Sequence, residues 1–198
     1  HTGPADPQRR LEDACGLGEA QRDQSDPAFR GTLLDATHAA LALGRLDLAA
    51  RSAIANFRGT TSVVNDVDRE RVEALKLTLA AHDGQRTSEV AMIAATLVAE
   101  SNYDPDAPFE RRVELTARCT EIARELGEPR VLAEVIIRTA RVYLMPERVE
   151  AGVACVTESI SLAETNLLRQ ITKSLGLSQD DYVELQARHR QHLASLKT

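Results

Sequence analysis

Five histidines, three cysteines and a few acidic pairs are the residues here whose type and spacing bear on chemistry. His189 and His192 stand three apart, which places two imidazoles on one helical face and could begin a metal site. A metal needs a ligand set rather than a pair, and the residues one turn earlier, Leu185 and Gln186, supply no third ligand. Solvated histidines are therefore expected there. His38 and His82 sit alone in helical segments and read as structural or surface residues. Cys15, Cys119 and Cys155 are far apart and form no CxxC pair, so neither a zinc site nor a disulfide framework is expected. Each falls in an apolar helical stripe, where a free cysteine behaves as a small hydrophobe, and a reducing, cytoplasmic setting suits them.

The stretch FRGTTS, residues 57–62, offers a glycine and three hydroxyls that could cradle a phosphate. It lacks the GK[ST] ending and no strand precedes it, so a solvent loop is the favoured reading. The pairs Asp66/Asp68 and Asp104/Asp106 fall in loops or at helix starts, where carboxylates cap helices and favour the positive end of the dipole. Residues 66–70 also lack the glycine and distal Glu of a calcium loop. No GxSxG, HExxH or Cys/His nucleophile pair occurs. The expectation is a protein that is not an enzyme and carries no cofactor and no metal. The charge runs Asp68-Arg69-Glu70-Arg71 and Glu110-Arg111-Arg112 alternate in sign and read as solvated helix faces with i,i+4 pairing.

The elements that must position these residues are helical. Only 3% of the 198 residues are aromatic and none is Trp, while Ala, Leu, Val and Arg carry the packing, so composition favours helix over sheet. Apolar residues recur at helical spacing: Leu115, Cys119, Ile122 and Leu126 form one stripe, and Val149, Val153, Val156 and Ile160 another. Residues 130–144 are apolar on most sides, which predicts a helix sandwiched between neighbours. Gly44, Gly84 and Gly127 mark helix ends, and Pro27, Pro108, Pro129 and Pro146 lie near helix starts. Seven or eight helices with short links are expected, interrupted most clearly at 57–66 and 102–108. No run of about 18 apolar residues crosses a membrane. The net charge of −6 argues against a dedicated nucleic-acid binder.

Residues 41–55 (LALGRLDLAARSAIA) and 124–138 (RELGEPRVLAEVIIR) align at an offset of 83 residues. The match pairs Leu43-Gly44 with Leu126-Gly127, Leu48 with Val131, Ala50 with Ala133 and Ile54 with Ile137. A third Leu-Gly pair, Leu17-Gly18, lies inside the first helical segment. Repeats that cannot each bury a face must stack. On these Leu-Gly, Asp-Pro and Ala spacings, residues 8–164 resemble the tetratricopeptide-like helical region of large actinobacterial LuxR-type, ATP-binding regulators. The stretches carrying the likeness are LGEAQRDQSDPAFRGTLLDATHAALALGRLDLAARSA, DRERVEALKLTLA and RRVELTARCTEIARELGEPRVLAEVI. The resemblance implies an all-α, tetratricopeptide-like α-solenoid of stacked antiparallel helix pairs that receives a signal or partner, with chemistry in other domains. The chain opens at His1 with HTGPADPQ, which is no signal peptide, and is expected to be a segment of something larger.

The likeness ends after Glu164, dividing the chain into a helical-repeat domain (1–164) and a C-terminal helical hairpin (165–198). In the tail, Ser178 and Asp181 form a capping box with Asp in place of Glu. The Ile171, Leu175-Gly176-Leu177-Ser178 spacing is similar to a helix-turn-helix, yet Asp180, Asp181 and Glu184 would repel phosphate where a reading helix meets DNA. The tail also resembles the closing hairpin of the TerB-like helical domain; a plain structural hairpin is favoured over both. The function expected is a protein-interaction or sensory module of a transcriptional or signalling regulator. A small-molecule sensor and a DNA-binding regulator using the tail are the alternatives. Arg138, Arg141, Tyr143 and Met145 are the residues assigned to the partner or ligand face. Exposed Arg among small Ala residues on inner helices would favour a peptide, and a closed apolar pocket near Tyr143 and Met145 a small ligand.

Overall fold

A computed structural model describes residues 6–59 and 67–143, and all regular structure among them is helical. The helices are α1 (Pro7–Asp23), α2 (Phe29–Ala42), α3 (Leu46–Ala55), α4 (Arg69–Ala81), α5 (Ser88–Glu100), α6 (Phe109–Leu126) and α7 (Pro129–Tyr143). The expected helix at 149–163 and the tail hairpin lie outside the described residues.

The boundaries follow local chemistry. Asp6, Asp68 and Thr87 cap α1, α4 and α5 by accepting from Gln8, Arg71 and Val90 N–H groups that a helix start leaves unpaired. Pro129 opens α7, where a missing N–H costs nothing. Gly44 and Gly127, at φ +67° and +64°, end α2 and α6 in the left-handed conformation that side chains resist.

Each helix packs on its neighbour or next-but-one in sequence, and no described pair further apart is in contact. The odd-numbered helices touch in succession, α1 with α3, α3 with α5 and α5 with α7; α2 meets α4, but α4 and α6 do not pack. Three apolar clusters lie along this order. Leu11, Cys15, Ala36, Ala40, Leu48 and Ala49 join the first three helices. Ala50, Ala53, Val72, Leu75, Ile93 and Leu97 continue through α3, α4 and α5. Val90, Ala94, Cys119, Ile122, Leu132 and Val135 close the set across α5, α6 and α7. The helix buried on most sides is α5, from Val90 to Val98. In α7, Leu132, Val135, Thr139 and Val142 are buried while Ile137 is 53% exposed, and the segment expected to follow it lies outside the described residues.

The 83-residue repeat is present as two helix–Gly–helix turns, but its buried positions fall between the apolar pairs read from sequence. Ala49 and Leu132, and Ser52 and Val135, are fully buried counterparts, whereas Ile137 faces out and Ile54 is half-buried. The Leu17-Gly18 pair is no turn. Gly18 lies within α1 against α2, and a Cβ there would stand 2.5 Å from Leu33 Cδ2.

Gly18→Ala is therefore expected to destabilise the fold by about 1–3 kcal/mol through overpacking against buried Leu33. Gly16→Ala and Gly31→Ala, on helical backbone with open space at the added Cβ, should instead gain about 0.5–1 kcal/mol. Urea unfolding followed by circular dichroism reads both signs; a stabilised G18A would remove the close contact from the account.

Candidate functional site

Where α3 ends and the chain turns towards α4, a buried polar network forms. Asn56 donates to the Arg30 carbonyl at 3.1 Å and accepts from Arg71 Nε at 3.0 Å. Asp68 receives both Arg30 (2.6 and 2.8 Å) and Arg71 (3.0 Å). Two residues on, Arg58 donates from its backbone N–H (3.0 Å) and its Nε (2.7 Å) to the two oxygens of Glu100, whose side chain is only 2% exposed. The run 68–71 is thus corrected: Arg71 is buried and pairs at i,i+3 with the largely covered carboxylate of the half-buried Asp68, while Arg69 and Glu70 are exposed. Phe57 and Arg58 are likewise no solvent loop, since Phe57 is buried and Arg58 tied to Glu100. Gly59 has φ +89°, and residues 60–66 lie outside the described set.

The charges shift as this geometry demands. Burial alone would raise the Asp68 carboxyl, but the Arg30 hydrogen bond, the Arg71 backbone N–H and both guanidinium charges outweigh it and hold it below the ordinary value. Arg71 is pushed down by burial, with Asp68 and Glu100 opposing. Burial raises the Cys15 thiol and pushes Cys119 up to about 12, so both are unreactive hydrophobes, in line with the sequence. Cys155 lies outside the described residues.

Of the residues assigned to a partner face, Arg138 and Arg141 come together on α7. Arg138 is 9% exposed and is held from three sides. It donates to Thr96 Oγ1 at 3.1 Å, stacks 4.3 Å from the Phe57 ring centroid and lies 3.8 Å from Glu134. Burial lowers its pKa, with Glu134 opposing and the charge of Arg22 on α1 adding to the fall. Arg141 donates to the Tyr103 hydroxyl and lies over that ring. Tyr143 ends α7, and Met145 lies outside the described residues. The cavity Arg138 and Arg141 share with Ala99 and Asn102 has a volume of about 30 Å³. That holds a water or two, well short of the small-ligand range.

Around these arginines the odd helices form one surface. Between α1 and α3, an open cleft of about 410 Å³ is lined by Arg22, Arg51, Ile54 and Ala55, with Glu19 gripping Arg51 through two bonds of 2.7 and 2.5 Å. Ala99 of α5 and Ala140 of α7 line the separate small cavity beside Arg138.

The remaining sequence candidates are structural. Asp104 is buried and accepts from the Asp106 N–H at 3.0 Å, while Asp106 pairs with Arg69 at 3.0 Å. The buried ring of His82 bonds through Nδ1 to the Thr78 carbonyl oxygen at 2.8 Å, and His38 is exposed. His189 and His192 lie outside the described residues, among which no group of three or more metal-ligating side chains assembles. No helix described is long and apolar enough to cross a membrane. Sequence reasoning missed the Asn56–Asp68–Arg71–Glu100 network. One signal was present: Arg71 and Glu100 each fall on the apolar stripe of their own helix, beside Leu75 and Leu97.

Fold and site together define an all-α protein whose helices pack in chain order. Against known proteins, the chain matches no family model, no curated protein and no solved structure.

Because the folded Asp68 pKa lies below its unfolded value near 4, its stabilisation is present above about pH 4 and is lost as pH falls through the folded value. Asp68→Asn should lower stability at pH 7 and flatten its decline below about pH 4 relative to wild type. Denaturant melts at pH 7 and pH 3 give the comparison; equal pH dependence would mean that Asp68 is not ion-paired in solution.

Proposed function

We propose that the chain is a non-catalytic interaction or sensory module, a tetratricopeptide-like α-solenoid of stacked helix pairs within a larger transcriptional or signalling regulator. The observation that carries this reading is the packing order: contacts join only neighbours and next-but-one neighbours, as in arrays whose units cannot bury a face alone. In such an array one helix of each pair lines a continuous face, and α1, α3, α5 and α7 supply it here.

The partner this face suits is a protein or peptide, including another part of the same polypeptide. Arg51, 47% exposed beside the half-buried Ile54, offers a charged and an apolar contact side by side. Arginine anchors interfaces because its planar fork binds carboxylates in a fixed geometry, and at Arg51 a partner's carboxylate would take the place that Glu19 fills in the free chain. The acidic balance of the chain weighs against nucleic acid.

Native mass spectrometry of the chain isolated from its own cells tests the reading. A protein bound at fixed stoichiometry is expected, and it should be missing from an Arg51→Glu/Ile54→Asp variant that retains its helical circular dichroism. A clean, empty species, or a partner retained equally by the variant, would overturn it.

A further inference from the structure

The even-numbered side of the molecule carries a different feature. Where α4 and α6 fail to meet, a cleft of about 350 Å³ opens, floored by Leu97 and Val98 of α5 and by Ser101 just beyond its end. Leu79 and Leu115 make its walls apolar, and Lys76, Arg111, Arg112 and Arg118 stand around it against one acid, Asp83. Arg111 is paired with Glu114 at 3.0 Å and Lys76 lies 4.0 Å from Glu73, which leaves Arg112 and Arg118 as the rim cations without a carboxylate among the described residues.

Arg112 is the informative residue. Its Nη1 donates to the backbone carbonyl oxygen and Oδ1 of Asn102 at 2.8 and 2.9 Å, and its guanidinium lies 5.4 Å from the Phe109 ring centroid. All of these partners are neutral. Its Nε is buried with no hydrogen-bond partner, and no carboxylate lies within ion-pair distance of it. The arginines of the buried network differ in this respect: Arg71 has Asp68, Arg58 has Glu100 and Arg138 has Glu134. A partly buried cation without a counter-ion is costly unless something negative completes it. Arg118, on the same wall, makes no hydrogen bond or ion pair among the described residues.

The shape selects the size of the occupant. Beyond one end of the cleft Arg69 reaches Asp106 at 3.0 Å, and beyond the other Arg86 reaches Glu125 at 2.6 Å. The two walls are thus bridged at both ends, which suits a compact molecule rather than an extended peptide running through. The volume lies at the small end of the range for small-ligand sites.

We propose that this cleft binds a compact anionic amphiphile, its apolar body on Leu97, Val98 and Leu115 and its anionic head on Arg112. The site is on the opposite set of helices from the face assigned to protein binding and stands independently of it. The ligand's anion supplies what the protein withholds from Arg112, a charge-assisted acceptor in a partly desolvated place. Arg118, exposed on the same wall, adds a positive charge that draws the anion in.

Isothermal titration of the full chain at low salt with octanoate, 1-octanol and octylammonium tests this. Octanoate is expected to bind one saturable site, 1-octanol at least about fivefold more weakly, and octylammonium not measurably. Arg112→Gln should weaken octanoate about tenfold. Arg118→Glu, at an exposed position that leaves the fold intact, should weaken it in the same direction and keeps the test valid if Arg112→Gln does not fold. Octanol binding as tightly as octanoate, octanoate binding unchanged in both variants, or no saturable binding at all would each overturn the proposal.

Discussion

With almost no aromatic side chains, this protein must bring its helices close enough for small residues to fill the seams, and much else follows from that. Ala91, Ala94 and Ala95 of α5 are fully buried, and Gly18 admits Leu33 where even a methyl group would collide. Hydroxyls are used in the same spirit. Thr37, Thr78, Thr96 and Thr139 each return their proton to the carbonyl four residues back, at 2.7–2.8 Å. A hydroxyl satisfied within its own helix can sit in a seam like a small apolar group. Close seams carry many weak contacts and tolerate little added volume, because protein interiors are packed to crystalline density.

Small residues cannot fill the wider junction where α3 gives way to α4, and there arginine replaces the absent aromatics. Arg138 lies flat on Phe57, Arg71 lies 5.4 Å from the Phe29 ring, and their stems occupy space a Trp or Phe would take elsewhere. The charges bring an obligation. Each buried guanidinium must be matched, and Asp68, Glu100 and Glu134 match Arg71, Arg58 and Arg138. Compared with an apolar replacement, such pairs add little net stability, yet separating the partners leaves a buried charge uncompensated. Their effect is to penalise every arrangement that moves Phe57 and Arg58, just after α3, away from α5 and α7.

Helix boundaries were legible in the sequence because local chemistry sets them. The left-handed glycines Gly44, Gly84 and Gly127 and the helix-opening Pro129 do in the structure what their types predict. The repeat offset of 83 was also legible, since the Gly turns fix the register. Which face of each copy is buried was not, because Ile54 and Ile137 are as apolar as the buried Ala49 and Leu132 and only the neighbouring helices decide between them. The same holds for the site. Arg138 and Arg141 could be singled out as arginines at the end of an apolar helix, but sequence separations of 38 and 42 residues to Tyr103 and Thr96 decide that they are engaged. The charge run 68–71 misled for a related reason: Asp68 is drawn inward by Arg30, 38 residues earlier.

The gap between α4 and α6 is a consequence of how α5 is divided. Its small residues, Ala91, Ala94 and Ala95, belong to the cluster shared with α6 and α7, so those helices settle close. Its larger residues, Ile93, Leu97 and Val98, belong to the cluster shared with α3 and α4, which also takes in Leu115 of α6 and Val142 of α7. A helix with a slender side and a broad side acts as a wedge, drawing α6 and α7 in while holding α4 off. Leu97 and Val98 then lie between two helices that do not meet, with Lys76 on one wall and Arg112 on the other. Long arginine side chains beyond each end bridge what the backbones cannot, through Arg69 with Asp106 and Arg86 with Glu125. The wedge that completes the core is therefore also what leaves an apolar, positively rimmed cleft on the even-numbered side.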